Sequence, residues 1–214
     1  MTEDDSAPRR RGRPPASDSA STREAILASG RKLFSERGYG PVTNKDLAAS
    51  AGVTTGALYH YVESKLDLYL VVFRDTQRRI HLRFRRAVDS ECTFIGKLEA
   101  VLEAAHELND EDPGLARFIG AVRSDIQRYP EIAEELSDVE PQRIQFFMSL
   151  VDSGVATGEI RPENRELVEQ FINVVLVGLT ELTSTSLDQR RLGIDSIMAV
   201  LRGTLIRSPT VPDA

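Results

Sequence analysis

The sequence has few of the residues that build redox or metal centres. Its one cysteine, Cys92, cannot form a disulfide within the chain, and its three histidines lie far apart at positions 60, 81 and 106. This scarcity excludes a disulfide scaffold and a zinc site built on cysteine and histidine. We therefore predict no cofactor and no bound metal.

Long apolar runs are missing as well. No segment approaches the roughly 18 to 20 consecutive apolar residues of a membrane helix, and the N-terminus, Met1-Thr2-Glu3-Asp4-Asp5, lacks the basic and apolar layout of a secretory signal. The sequence also offers no nucleophile paired with a base and no phosphate-binding loop. We expect a cytoplasmic protein that neither crosses a membrane nor catalyses a reaction.

The composition is typical of an ordered protein with an uneven charge distribution. Of the 214 residues, 41% are hydrophobic and 28% are charged, as in soluble globular proteins. Residues 6–65 carry ten Lys or Arg against five Asp or Glu, whereas residues 66–214 carry 17 against 25. A basic N-terminal block on an acidic body favours a local surface for a polyanion. Chance clustering of surface charge is the alternative.

Apolar residues recur every three or four positions through most of the chain, which predicts an all-α fold of about nine helices. Three motifs with Ser or Thr followed three positions later by an acid predict helix starts at Ser21, Thr43 and Ser64. Gly38 is placed to end the first of these helices. Later helices are expected at about 93–108, 114–127, 140–156, 163–183 and 188–204, with a short helical turn at 131–136.

Residues 43–65 have the layout of a helix-turn-helix. A short helix is followed by a turn at Gly52 and by a second short helix at 54–61 that begins with small and polar residues. In such a unit the second helix lies in the major groove of DNA with its first residues on base edges, which predicts double-stranded DNA as a partner. The residues at that leading edge are Thr54, Thr55, Gly56 and Ala57.

The segment at 43–68, TNKDLAASAGVTTGALYHYVESKLDL, closely resembles the DNA-binding signature of the TetR family of bacterial transcriptional regulators. One departure is Val62, where the family usually has Phe, and it concerns a packing contact. The matching positions are Thr43, Asp46, Ala48, Ala51, Gly52, Val53, Gly56, Leu58, Tyr59, His60 and Lys65.

The resemblance implies which residues contact DNA. It implies that Gly56 and Ala57 stay small for close approach, and that Leu47, Leu58 and Tyr61 hold the helices together. For Tyr59 the residue pattern alone leaves burial in the core open, and the family pattern favours a phosphate contact. The phosphate or base contacts implied in this way come from Thr43, Thr54, Thr55, Tyr59, His60 and Lys65.

Two arginine-rich segments flank this unit. Residues 1–20 have no apolar periodicity and predict a flexible basic arm. Within it, Arg11-Gly12-Arg13-Pro14 resembles an AT-hook, in which a Gly-flanked arginine pair lies in a narrow A·T-rich minor groove. The alternative is a disordered tail that adds only counterion release. The segment at 74–86 is interpreted as a solvated helix face rather than a second DNA site.

Two helices near the C-terminus predict a homodimer. The helix at 163–183 has two apolar stripes, so one can face the protein's own core and the other a partner. The next helix adds a stripe of its own, which resembles the four-helix contact of TetR-family dimers. The alternative is that both are core helices of a monomer. The predicted interface is Val168, Ile172, Leu176, Leu179, Ile194, Ile197, Met198 and Leu201, and the second stripe of the first helix is Leu167, Phe171, Val174, Val175, Gly178 and Leu182.

The resemblance also implies an effector-binding and dimerisation domain at 66–214 that follows the DNA-binding domain at 21–65. Such bundles enclose a pocket for a small molecule, although apolar residues at helical spacing equally fit ordinary core packing. His106 and Arg123 are the polar candidates, because buried polar groups need partners. The candidate lining residues are Leu102, His106, Phe118, Val122, Arg123, Phe147, Phe171 and Val175.

These features predict a dimeric, sequence-specific transcriptional regulator, and in particular a repressor released from a palindromic operator by a small-molecule effector. The alternative is an architectural protein that binds A·T-rich DNA without an effector response. The two differ in the DNA they cover, because a regulator protects a short palindrome and an architectural protein coats A·T-rich DNA generally.

Overall fold

The computed structural model describes residues 16–137, 140–182 and 186–205, and this part of the chain is all-α, as predicted. The short turn predicted near residue 131 is a helix of its own, so the described part contains ten α-helices. A 3₁₀ turn, Pro162–Asn164, precedes the ninth. The helices are α1 (Ala16–Arg37), α2 (Asn44–Ser50), α3 (Thr55–Leu58), α4 (Lys65–Val88), α5 (Phe94–Glu111), α6 (Pro113–Arg128), α7 (Pro130–Glu135), α8 (Glu140–Ala156), α9 (Arg165–Glu181) and α10 (Leu187–Leu201).

Two of the three predicted capping motifs start helices. The Thr43 side chain accepts a hydrogen bond from the backbone N–H of Asp46, and the Asp46 carboxylate accepts one from the backbone N–H of Thr43. Ser64 caps α4 by accepting from the N–H of Asp67 at 3.0 Å. These bonds satisfy backbone donors that the first helical turn leaves without a partner.

The helix start predicted at Ser21 was wrong. Helix α1 begins at Ala16 rather than at Ser21, so residues 16–20, predicted as part of a flexible arm, form its first turns. Ser21 and Glu24 lie on the exposed face of this helix, and the Glu24 carboxylate accepts a hydrogen bond from Arg79 of α4 instead of capping α1. Ser and Glu are common on exposed helix faces, so their spacing alone does not mark a helix end.

One apolar cluster joins the N-terminal helices to the rest of the protein. The inward-facing apolar residues of α1 are buried in it, and Gly30 lets α4 approach closely, since a Cβ there would lie 2.8 Å from a methyl group of Val72. Phe34 is fully buried and packs edge-on against Tyr69, with ring centroids 4.9 Å apart. Phe118 of α6 belongs to the same cluster. The helices at 21–65 therefore share one core with α4 and α6.

A second apolar cluster lies farther from the N-terminus. It is formed by the end of α4 together with α5, α8, α9 and α10, and it includes Leu98, Leu102 and Val151, which are completely buried. None of the described helices combines the length and the apolar character that a bilayer crossing requires.

Candidate nucleic-acid interface and ligand cavity

The turn between α2 and α3 sets the angle of the two short helices. Gly52 has a φ of +69°, a conformation that glycine adopts without the clash a Cβ would cause. The next N–H, of Val53, donates to the carbonyl of Ala48 at 3.0 Å and closes the turn. Leu47 and Leu58 are buried between the helices, as predicted, so α3 is held firmly while its outer face stays in solvent.

The leading edge of α3 is exposed. Thr54 caps the helix by accepting from the N–H of Ala57 at 3.1 Å, which leaves its hydroxyl proton for an external acceptor. Thr55 and Gly56 are exposed, and Ala57 is half-buried. Small and hydroxyl-bearing side chains at a helix start permit close approach to phosphates and base edges.

Gly56 is not required by the protein's own packing. Its φ is negative, and a Cβ built at this position would meet only the Thr54 hydroxyl oxygen, at 3.9 Å. An alanine would therefore fit the fold and would favour the helix. The protein's own packing therefore does not explain the glycine, and close approach of α3 to DNA at this residue stays a prediction.

Tyr59 lies on this exposed surface. Its side chain is 50% exposed, which overturns burial in the core as an account of this residue. Its hydroxyl oxygen accepts a hydrogen bond from the side-chain amide of Asn44 at 2.7 Å, and that bond orients the ring. His60 beside it is also exposed. The sequence did not single out Asn44, because the only signal for it is its position one residue after the Thr43 cap.

Thr43 and Lys65 make contacts within the protein. The Thr43 hydroxyl donates to the Asp46 carboxylate at 2.6 Å, and the side-chain and backbone hydrogen bonds from Thr43 lower the pKa of Asp46. The Lys65 ammonium donates to the carbonyls of Tyr39 and Gly40 at 3.0 and 3.3 Å. It lies 4.1 Å from the centre of the Tyr39 ring, and burial lowers its pKa. The ammonium therefore fastens the loop after α1 to the start of α4, and a phosphate contact from Lys65 stays a prediction.

A buried carboxylate joins this loop to α6. Asp125 accepts hydrogen bonds from the backbone N–H of Tyr39 at 3.0 Å and from the Tyr69 hydroxyl at 2.9 Å. Burial, the Asp125 charge and this hydrogen bond raise the pKa of Tyr69. Nearby, the Arg31 guanidinium of α1 binds Asp112, the residue that caps α6. Displacement of α6 would therefore act directly on α1 and on the loop that precedes α2.

A large cavity lies on the opposite side of α6. It has a volume of about 820 Å³ and is lined by residues of α4, α5, α6, α8, α9 and α10. Most of its wall is apolar, and phenylalanines 73, 84, 146 and 147 contribute to it. A cavity of this size suits a drug-sized molecule. The polar residues among the described lining are Arg74, Gln77, Arg78, His81, Asn109, Arg123, Gln127, Arg143, Thr180 and Arg190.

The cavity only partly matches the predicted pocket. Val122, Arg123 and Phe147 line it. Leu102 and Phe118 do not, because they are completely buried in the two apolar clusters. The other predicted residues that do not line it are His106, Phe171 and Val175. The rotation of each helix about its axis determines which of its residues line the cavity, since each of these helices also buries residues against other neighbours.

His81 is a cavity residue that the sequence did not indicate. Its ring packs edge-on against Phe146, with centroids 5.5 Å apart. Burial and the nearby positive charge of Arg85 lower the pKa of His81. The lowered pKa favours the neutral imidazole, which offers one donor and one acceptor.

The predicted dimer stripe of α9 and α10 lies mostly on their core side. Four of its residues are buried within the monomer, and the other four are partly buried against the same cluster, so this side of each helix faces the protein's own core. The second stripe is divided, because Leu167 and Val174 are exposed at 68% and 67%, whereas Val175 is buried and Phe171 and Leu182 pack against the same cluster. The fully buried residues of the predicted interface are Ile172, Leu179, Ile194 and Met198, and the partly buried ones are Val168, Leu176, Ile197 and Leu201.

The arginine-rich segment at 74–86 is engaged in ion pairs. Arg79 pairs with Asp75 and Glu24, and Arg83 pairs with Glu107 and Glu111. These contacts lie on the flank of α4 and involve acidic partners. They agree with the interpretation of a solvated helix face. Of the residues predicted to contact DNA, Arg11, Gly12 and Arg13 lie outside the described residues.

Two family models match the chain. Residues 26–72 match the model described as bacterial regulatory proteins of the tetR family, and residues 90–201 match that of the QacR-like protein C-terminal region. Among curated relatives, the HTH-type transcriptional repressor KstR2 of Mycolicibacterium smegmatis is 26% identical over 166 residues, covering 73% of this chain and 76% of the relative. The HTH-type transcriptional regulator UidR of Escherichia coli is 24% identical over 189 residues, covering 87% and 94%.

Solved structures share the fold at low sequence identity. The FadR regulator of Bacillus subtilis, determined in complex with stearoyl-CoA, superposes with a TM-score of 0.73 at 20% identity and covers 86% of this chain and 99% of that one. The ketosteroid regulator KstR2 of Mycobacterium tuberculosis gives 0.66 at 23% identity, covering 85% and 93%.

Proposed function

The chain belongs to the tetR family of bacterial regulatory proteins, and on that basis we propose that it is a homodimeric repressor that leaves a palindromic operator when a small molecule fills its cavity. The curated relatives KstR2 and UidR are transcriptional regulators and not enzymes. We propose the same role for this chain, acting in the cytoplasm, with residues 21–65 as its DNA-binding domain and residues 66–214 as its effector-binding and dimerisation domain.

The observation that carries the DNA-binding role is the exposed edge of α3. Gly56 is small although the fold has room for a Cβ, and Tyr59 is half exposed although it is aromatic. Thr43 and Thr54 cap the N-termini of α2 and α3, and the backbone N–H groups of such helix starts can bind phosphates. We assign phosphate or base contacts to this surface, with Asn44 positioning Tyr59.

The dimer uses the exposed faces of α9 and α10 in this proposal. Leu167, Val174 and Leu192 are each about two-thirds exposed, and Val200 is half exposed. A second copy that covers these apolar side chains on both helices would give a four-helix contact. A symmetric contact of this kind repeats the DNA-reading helix with the spacing that a palindrome requires.

Helix α6 is the proposed link between cavity and DNA. One side of it, including Ile119 and Val122, lines the cavity, while Asp125 holds the backbone of Tyr39 in the loop before α2. An effector that binds one position of α6 more tightly than another would shift the equilibrium between DNA-binding and released forms. The Bacillus subtilis FadR structure contains stearoyl-CoA, which supports a ligand of drug size or larger in a fold of this kind.

The deciding experiment is selection from random DNA duplexes by the purified protein, followed by sequencing and footprinting. We expect a short palindrome protected by two subunits. Enrichment of A·T-rich DNA without a common sequence, or broad coating in the footprint, would instead support the architectural protein and overturn the proposed repressor.

The effector response has its own test. Asp125→Asn keeps the size of the side chain but removes the charge that accepts the Tyr39 and Tyr69 hydrogen bonds. We expect the variant to bind the selected duplex in the absence of effector and to respond less to compounds that release the unaltered protein. An identical release curve for both proteins would contradict the proposed link through α6.

A further inference from the structure

Arg190 is a buried cation in the wall of the cavity. It lies in the first turn of α10, its side chain is 3% exposed, and it lines the 820 Å³ space. Its Nε and Nη1 atoms are buried without a hydrogen-bond partner among the described residues. Burial lowers the pKa of Arg190, but a guanidinium keeps its proton at neutral pH. The cavity therefore contains a positive charge that the described protein does not neutralise.

The other arginines of this region are paired. The guanidinium of Arg191, the next residue, makes two parallel hydrogen bonds of 2.5 Å to the Glu103 carboxylate. Arg202, just after α10, binds Glu99 at 2.5 Å. A buried charge without a counter-ion is costly, so buried cations in proteins are normally paired or hydrogen-bonded. Arg190 departs from a rule that its neighbours follow, and its position in a cavity indicates where the missing anion would be.

The surroundings of Arg190 favour an external anion with an apolar body. No Asp or Glu is among the described residues that line the cavity, whereas Arg78, Arg123 and Arg143 are. The Asn109 side chain is 6% exposed, lines the same cavity, and has an Oδ1 atom without a hydrogen-bond partner. The remaining wall is largely aliphatic and aromatic.

We propose that Arg190 binds the anionic head of an amphipathic effector whose apolar part occupies the cavity, with Asn109 as a second polar contact. The planar guanidinium matches carboxylate and phosphate oxygens equally well, so the head is a carboxylate or a phosphate. This inference rests on the proposed function in taking the cavity as the effector site. It adds the chemical class of the effector and the residue that recognises it.

The test compares decanoate, decanoyl-CoA and the neutral decanol by isothermal titration calorimetry against the full-length protein and Arg190→Met. We expect the unaltered protein to bind at least one of the two anions and to bind decanol more weakly. Because removal of one partner of a buried charge pair is costly, Arg190→Met should lose about 30-fold or more of its anion affinity. Its affinity for decanol should stay unchanged. If Arg190→Met loses affinity for decanoate, the head of the effector is a carboxylate. If it loses affinity for decanoyl-CoA alone, the head is a phosphate.

Thermal unfolding without ligand provides a second readout. Methionine replaces an uncompensated buried charge by an apolar side chain of similar length, so Arg190→Met should unfold at a higher temperature than the unaltered protein. The matched control is Arg191→Met, which breaks the Glu103 pair outside the cavity and should leave anion affinity unchanged.

Three outcomes would overturn the inference. They are equal anion affinity in Arg190→Met and the unaltered protein, equal loss in Arg191→Met, or binding of neither anion by the unaltered protein. Binding of the selected duplex by the unaltered protein is measured in parallel. Duplex binding without anion binding would reject the role of Arg190 and leave the proposed regulator standing, whereas loss of both would reject the proposed function as well.

Discussion

The α2–α3 unit and the cavity differ in whether their buried polar atoms have hydrogen-bond partners. At residues 43–65, threonine and serine side chains cap the helices, and no buried side-chain polar atom there is without a partner. In the cavity, Arg190 and Asn109 are buried with unpartnered atoms. The first region is complete in the monomer and presents a finished surface. The second has buried polar atoms that the proposed anion would contact.

This difference indicates which residues contribute mainly to folding stability and which contribute mainly to recognition. A surface with satisfied backbone groups can lose an exposed side chain with little effect on folding. A cavity wall already lacks neighbours on one side, so its residues contribute less to packing and more to recognition. Substitutions on both sides of α6 test this contrast.

The largest effect is expected at Phe34, in the core beneath the DNA-binding surface. Phe34→Ala removes a fully buried ring that packs against Tyr69 and Phe118, and it should lower the free energy of unfolding by about 3–5 kcal/mol. Phe147→Ala removes a ring that already borders the cavity and should cost about half as much. Urea denaturation measures both. Equal losses would remove the distinction between core and cavity wall.

The next effect concerns the dimer. Val174→Glu places a charge on the exposed face of α9 in each subunit, and repulsion and desolvation should weaken the dimer about 100-fold. Ile172→Val changes the buried face of the same helix and should leave the dimer constant unaltered. Sedimentation over a range of concentrations separates the two. Weakening by Ile172→Val alone would restore the stripe first predicted as the interface.

Tyr59 should matter for DNA and little for folding. Tyr59→Ala should weaken binding of the selected duplex about tenfold and change the free energy of unfolding by less than about 0.5 kcal/mol, because the ring is half exposed. Tyr59→Phe removes only the hydroxyl that Asn44 contacts and should have a smaller effect. Unaltered affinity in both variants would exclude Tyr59 from the interface.

Gly56→Ala should affect folding stability and DNA affinity in opposite directions. The added methyl group has room within the protein and should stabilise the folded state by up to about 1 kcal/mol through helix propensity. On DNA the same methyl group meets the duplex, so affinity should fall several-fold. Fluorescence anisotropy and thermal unfolding report the two quantities. A variant that is more stable and binds equally well would show that α3 does not approach DNA at this residue.

The smallest expected effect is a pH dependence of folding stability that arises from Asp75 of α4. Burial would raise the pKa of Asp75, but the hydrogen bond from Arg78 and the charge of Arg79 outweigh it and hold this pKa below its ordinary value. A depressed carboxyl pKa contributes stability that is present above the ordinary value of about 4 and is lost as the pH falls through the lowered pKa.

Asp75→Asn removes that contribution, so the melting temperatures of the variant and the unaltered protein should converge as the pH is lowered from 5 to about 3. Melting curves at a series of pH values measure this. A constant difference between the two proteins across the series would show that Asp75 does not titrate with folding.

Much of the α2–α3 unit could be predicted because its signals are local. The Thr43 cap, the Gly52 turn and the Ser64 cap each depend on residues within four positions, and the family resemblance added the exposure of Tyr59. The same local pattern failed at Ser21, where Glu24 pairs with Arg79 of a distant helix. The cap motif therefore predicts a helix start reliably only where its acidic side chain is not bound by a residue of a distant helix.

The cavity was only partly predictable. Val122, Arg123 and Phe147 were identified as lining residues, whereas Arg190 was missed. Nothing in the local sequence distinguishes Arg190 from the surface residue Arg191 beside it. Their difference arises because the Arg190 side chain lines the cavity and the Arg191 side chain binds Glu103.

The amino-acid sequence was enough to predict most of the helices and the turn that holds α3, because caps, glycine turns and apolar periodicity act over a few neighbouring positions. The packing of the folded chain determines which residues of α9 are buried, which side chains border the cavity and which arginine is left without a carboxylate. Those outcomes depend on the rotation of each helix against several others, and that rotation is set by packing between residues far apart in the chain.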